Sequence, residues 1–231
     1  MTLIVSIKTD DFIVMAADGM AHTRPQAGAA TPYETQKLQV ANGSWIIGFA
    51  GWAGIEVQHQ ELESQIEKGV MDFDSDVRIG GPAYLEALRT LLKKSGGKSE
   101  PSVVRLAGFD RNGNPRVYEV VFPDKQPYFP ANASACGVKS AVTAQWIMDL
   151  LFACCLSSED YRDLALFTIS QIAKVELTVG RMENGYRLSS CVLRAGDPPE
   201  IKTCDISCTL ARTGECEDML CSAFTNFLSH R

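Results

Sequence analysis

The chain has 231 residues, of which 45% are hydrophobic and 22% charged, and its formal net charge is −6. That length and apolar content suffice to bury one substantial core, so a globular chain is expected, read as a single domain over 1–231. The acidic balance offers no broad attraction to phosphate backbones or anionic lipid, which argues against nucleic acid or a membrane surface as partner.

The opening MTLIVSIKTDDFIVMAAD holds two short apolar bursts interrupted by Lys8, Asp10 and Asp11, so neither a signal peptide nor a membrane span is expected. TLIVSIK and FIVMAAD read instead as the two strands of a hairpin. After a loop rich in Pro, Gly and Ala between His22 and Pro32, QKLQVA and SWIIGFAG flank Asn42-Gly43, the strongest short-range hairpin signal. Residues 52–68 and 83–94 carry apolar side chains at three-to-four spacing and are expected helices, with Gly69 and a Gly80-Gly81-Pro82 break between them. SVVRLAGF and PRVYEVVF flank a second Asn-Gly pair, Asn112-Gly113, and a short strand is expected at 133–136. Helical spacing returns over 139–155 and 158–175, the latter opened by Ser157 and Ser158 ahead of Glu159 and Asp160. GYRLSSCVLRA and IKTCDISCTL give the last strands, after a turn at Glu183-Asn184-Gly185. A terminal amphipathic helix carries Cys216, Leu220, Phe224 and Phe227.

All eight cysteines lie after position 135 and no Cys-x-x-Cys pair occurs, so a reduced, cytoplasmic protein without a metal site is expected. Cys204 and Cys208 alternate with Ile206 and Leu210 as small hydrophobes on one strand face. His22, His59 and His230 lack the spacing of a metal site or a triad, and surface or loop positions are expected for them. Neither a Gly-x-Ser-x-Gly elbow nor a dinucleotide or P-loop motif is present, so no cofactor is expected. Hairpins, a helix pair, strands, a second helix pair and final strands suggest an α+β fold, a four-layer α/β/β/α sandwich of two antiparallel sheets. Element order alone does not select it over other α+β arrangements.

Four stretches carry a resemblance: TLIVSI, FIVMAADG with Asp18 at its end, Lys37 ahead of a strand, and IIGFAGWAG with Gly51 at its turn. Together they resemble a proteasome β-type subunit, with the bacterial homologue HslV the nearest likeness, in the N-terminal-nucleophile (Ntn) hydrolase superfamily. The resemblance spans nearly the whole chain in element order and is specific in the first fifty-five residues. It implies the layered sandwich and a threonine endopeptidase whose nucleophile is Thr2, freed by removal of Met1. A threonine hydroxyl needs an adjacent base, and an N-terminal threonine carries one in its own α-amino group. A lysine ammonium nearby disfavours protonation of that amine.

The resemblance assigns this part to Lys37, the support of that lysine to Asp18, and the backbone N–H facing the oxyanion to Gly51. Cys136 stands where a serine usually precedes glycine, and Glu176 where a carboxylate is usual, while Val179 replaces a serine. Ala21, Thr35, Phe49 and Ala53 match pocket-lining positions, Phe49 as the floor. Peptides or unfolded proteins are the implied substrates, homo-oligomeric stacked rings the implied assembly, and any ATPase or gate a separate partner. A catalytically silent ring subunit and a non-peptide amidase or acylase are the alternatives.

Overall fold

The computed structural model describes residues 3–22, 32–51, 54–95, 102–122, 126–137, 157–177 and 186–206. In chain order these form β1 (Ile4–Lys8), β2 (Phe12–Asp18), β3 (Met20–His22), β4 (Pro32–Glu34), β5 (Leu38–Ala41) and β6 (Trp45–Ala50). There follow α1 (Gly54–Glu67), α2 (Val77–Lys94), β7 (Ser102–Phe109), β8 (Pro115–Phe122), β9 (Ala133–Cys136), α3 (Ser158–Leu177), β10 (Tyr186–Arg194) and β11 (Ile201–Ile206). The helix expected at 139–155, the turn at 183–185 and the terminal helix lie outside the described residues.

Two antiparallel sheets result, one ordered β11-β10-β2-β1-β9 and the other β5-β6-β7-β8, with β3 and β4 a separate ribbon. Period-two alternation divides each strand between two apolar layers. Along β1 and β2, Val5, Ile7, Val14 and Ala16 pack with Tyr161, Leu164, Ala165 and Ile169 of α3. Their neighbours Ile4, Ile13, Met15 and Ala17 face Leu38, Ile46, Ala50, Ala107 and Val117 of the second sheet. The far side of that sheet, with Trp45, Ile47, Phe49, Leu106 and Val120, packs on Ile55 and Leu62 of α1 and Tyr84, Leu85 and Leu88 of α2. The layers are therefore α3, sheet, sheet, and α1 with α2: an α/β/β/α sandwich of two antiparallel sheets, as expected. Among the described residues no helix is long and apolar enough to cross a membrane.

The two Asn-Gly signals fold differently. Asn42 and Gly43 both take positive φ, 47° and 67°, the two-residue turn that matches strand twist. At the second pair only Gly113 does, at 79°. The Asp110 carboxylate accepts from the Asn112 and Asn114 N–H groups at 3.0 and 2.9 Å, and Gly113 N–H donates to the Asp110 carbonyl. That makes a longer loop organised by a side chain.

The expected break at Gly80-Gly81-Pro82 is corrected by the structure: α2 begins at Val77 and runs through it. Asp76 caps the helix by accepting from the Arg78 N–H at 3.0 Å. The glycines serve packing. A Cβ at Gly80 would stand 2.1 Å from the Asp74 carbonyl oxygen and 2.8 Å from the Trp45 ring, so α2 lies too close to its neighbours for any side chain there. The short β3–β4 ribbon occupies the ends of what reads as a loop. At α3 the expected cap forms reciprocally, with the Ser157 N–H and hydroxyl donating to Asp160 Oδ2 and the Asp160 N–H donating to Ser157 Oγ.

Candidate active site

The first sheet ends, on one side, at the start of β1, the end of β2 and the end of β9. Register places Ile4 opposite both Ala17 and Cys136, so Leu3 lies next to Asp18. The Asp18 N–H donates to the Leu3 carbonyl at 3.3 Å, and the Leu3 N–H donates to Asp18 Oδ1 at 2.6 Å. That N–H belongs to the peptide bond joining Leu3 to Thr2. Asp18 thus fastens the backbone immediately after Thr2 with a charge-assisted hydrogen bond. Thr2 itself lies outside the described residues.

The second sheet contributes the start of β5 and the end of β6. Lys37 is 3% exposed, and its carbonyl accepts from the Phe49 N–H at 3.1 Å. Burial lowers the ammonium's pKa from the ordinary lysine value, while the nearby Asp18 carboxylate, and after it Glu56, act in the opposite sense. Lys37 thus gives up its proton more readily than a surface lysine, with two carboxylates favouring the charged form. Gly51, directly after β6, is exposed and has φ +119°, a conformation that a residue with a Cβ rarely adopts.

Glu56 is absent from the residues picked out by sequence. It sits in the first turn of α1 and accepts a hydrogen bond from the Thr35 hydroxyl at 2.8 Å. Thr35 is tied in turn to the end of the first sheet, its N–H donating to the Gly19 carbonyl at 2.8 Å. The available signal was an acidic residue soon after Gly51, at the positive end of a helix dipole.

The remaining expected site residues are distributed as follows. Cys136 ends β9 with its side chain in the layer between the sheets; its thiol is hydrogen-bonded to Glu119. Burial pushes that thiol up to about 12, Glu119 adding to the effect and Arg105 opposing it, so it is neutral at ordinary pH. Phe49 is buried under α1, its ring centroid 5.2 Å from that of His59. Ala21 belongs to β3, opposite Tyr33, and Glu176 to the last turn of α3, with their side chains outside the described atoms. Ala53 and Val179 lie outside the described residues. The structure therefore brings Leu3, Asp18, Lys37, Thr35 and Glu56 into one polar cluster at the strand ends.

A glycine mutant of Anbu from Hyphomicrobium sp. strain MC1 superposes on the chain with a TM-score of 0.69, over 97% of each chain, at 16% sequence identity. The chain shares the fold of that protein. Identity this low speaks for the fold alone. No family model matches the sequence, and no curated protein matches it. The expected likeness to a proteasome β-type subunit, with HslV as nearest relative, is corrected accordingly: no sequence match supports it, and the structural resemblance reported above is to Anbu, at fold level.

Proposed function

We propose that the chain is a threonine-type peptidase subunit, one Ntn-hydrolase domain over 1–231, acting through a Thr2 freed of Met1. The observation that carries this reading is the 2.6 Å bond from the Leu3 N–H to Asp18, with Lys37 buried close by. It ties the backbone of Leu3, the residue that follows Thr2 in the chain, to a carboxylate beside the buried Lys37. An unperturbed α-amino group has a pKa of about 7.7 to 8.0, and the Lys37 charge favours its neutral form. The amine takes the Thr2 hydroxyl proton as the oxygen attacks an amide carbonyl, and the Gly51 backbone faces the oxygen that becomes negative. The amine then passes its proton to the leaving nitrogen, leaving an ester that water hydrolyses. Assembly into homo-oligomeric rings, with unfolded chains or peptides as substrate and a separate gating partner, belongs to the same proposal.

Thr2→Ala abolishes peptide cleavage while leaving particle size unchanged, and intact mass gives a chain beginning at Thr2. Turnover undiminished by that substitution, or cleavage by a chain that keeps Met1, refutes the nucleophile. One observation favours a second reading, a catalytically silent subunit: the Cys136 thiol is engaged with Glu119 in the layer between the sheets. Covalent labelling of Thr2 by a threonine-directed inhibitor separates the two, since a silent subunit stays unlabelled.

A further inference from the structure

The candidate site is divided between two sheets. Leu3, Asp18 and Cys136 belong to the first, Lys37 and Gly51 to the second, so its geometry depends on how one sheet sits on the other. Apolar contacts between sheets are non-directional and set that placement only coarsely. A buried ion pair of the second sheet stands in this layer, and its arginine reaches across to the first sheet. Arg105 of β7 is 1% exposed; its Nε and Nη2 donate to Glu119 Oε2 on β8 at 2.7 and 2.6 Å. Nη1 reaches across to the first sheet, donating to Ser6 Oγ on β1 and to the Ser134 carbonyl on β9, both at 2.8 Å. Ser6 and Ser134 stand opposite each other in the ladder, their hydroxyl oxygens 3.2 Å apart. Glu119 is held further by the Tyr128 hydroxyl and the Cys136 thiol.

Stability does not account for this arrangement, because desolvating both charges offsets their attraction, and apolar replacement of such pairs is often neutral or stabilising. Directionality does. A guanidinium is a rigid fork whose donors fix angles as well as distances. This one joins β7 and β8 to the two first-sheet strands whose ends carry Leu3 and Cys136. We propose that Arg105 and Glu119 are positioning residues, locking the site ends of β1 and β9 against the second sheet so that Thr2 meets Lys37 and Gly51 in reactive geometry. The inference rests on the Thr2 reading above.

The test is the double variant Arg105→Met/Glu119→Leu in the full-length assembled protein, beside Thr2→Ala. Its melting temperature is expected to be unchanged or higher. Peptide kcat falls about ten- to a hundredfold with KM held, the signature of misplaced reacting groups. Amide exchange speeds up over residues 3–7 and 133–136. Parental kcat in a folded double variant overturns the proposal, as does unchanged exchange over these two segments. Should the double variant fail to fold, Arg105→Lys keeps the charge without the fork; a fall in kcat at constant KM supports the lock, and parental kcat sinks it. Turnover that survives Thr2→Ala defeats the Thr2 reading itself, a result distinguishable because it appears without touching Arg105 or Glu119.

Discussion

Lys37 is costly to bury, and its carboxylate neighbours give the reason to keep it charged. Under the proposed Thr2 mechanism, Lys37→Met removes the charge that favours a neutral amine, so peptide turnover is expected to fall by about a hundredfold or more with the circular dichroism spectrum retained. The alkaline side of the pH profile follows from the direction of its shift. As pH rises, Lys37 loses its proton earlier than an ordinary lysine, so under the proposed mechanism activity is expected to decline below the ordinary value of 10.5.

His59, expected at the surface, is instead 1% exposed, with Nδ1 2.7 Å from the Tyr84 hydroxyl, which also donates to Glu63. Burial lowers its pKa to about 4, only a bond to the Val40 backbone opposing. A histidine whose folded pKa is depressed lends full stability above its unfolded value of about 6.5 and loses it as pH falls toward 4. Unfolding free energy is expected to drop by roughly 3 kcal/mol across that window through this group. His59→Gln flattens the drop, measured by urea titration at each pH; an unchanged slope assigns the loss to other groups.

At the scale of elements, periodicity and turn chemistry carried most of the information. The β1–β2 and β5–β6 hairpins, β9 and the start of α3 fall where alternation, Asn42-Gly43 and the Ser157 cap put them. Where the sequence misled, one residue type served two purposes. Glycine and proline at 80–82 read as a break because local propensity disfavours them in helices. In the structure Gly80 is needed by its close neighbours, a tertiary demand that no local pattern expresses. Gly80→Ala separates the two readings: propensity alone predicts a gain of about 1 kcal/mol. Contact with the Asp74 carbonyl and Trp45 predicts a loss of about 1 to 3 kcal/mol, read from the denaturation midpoint. The candidate site was legible in the same uneven way. Asp18, Lys37 and Gly51 stand at strand ends where the sequence marks them, whereas Glu56 and the Arg105–Glu119 pair depend on contacts between distant segments. Isolated in sequence, each reads as an ordinary surface charge.

At the scale of the whole molecule, among the described residues three apolar layers share two sheets, and each sheet takes part in two of them. Loss of one layer therefore exposes a face of a sheet that the next layer needs. This coupling implies that the layers unfold together, in keeping with the proposed single domain over 1–231. Ile4→Ala in the layer between the sheets, Leu85→Ala under α2 and Leu164→Ala under α3 probe the three in turn. Each is expected to cost about 2 to 5 kcal/mol, because a buried aliphatic side chain leaves a cavity that its surroundings fill only in part. Each also shifts one common transition, with tryptophan fluorescence, to which the buried Trp45 contributes, and far-ultraviolet circular dichroism giving coincident curves. If Leu164→Ala separates those curves, α3 and the first sheet form a unit of their own, and the site between the sheets lies at a boundary that can open before the rest unfolds.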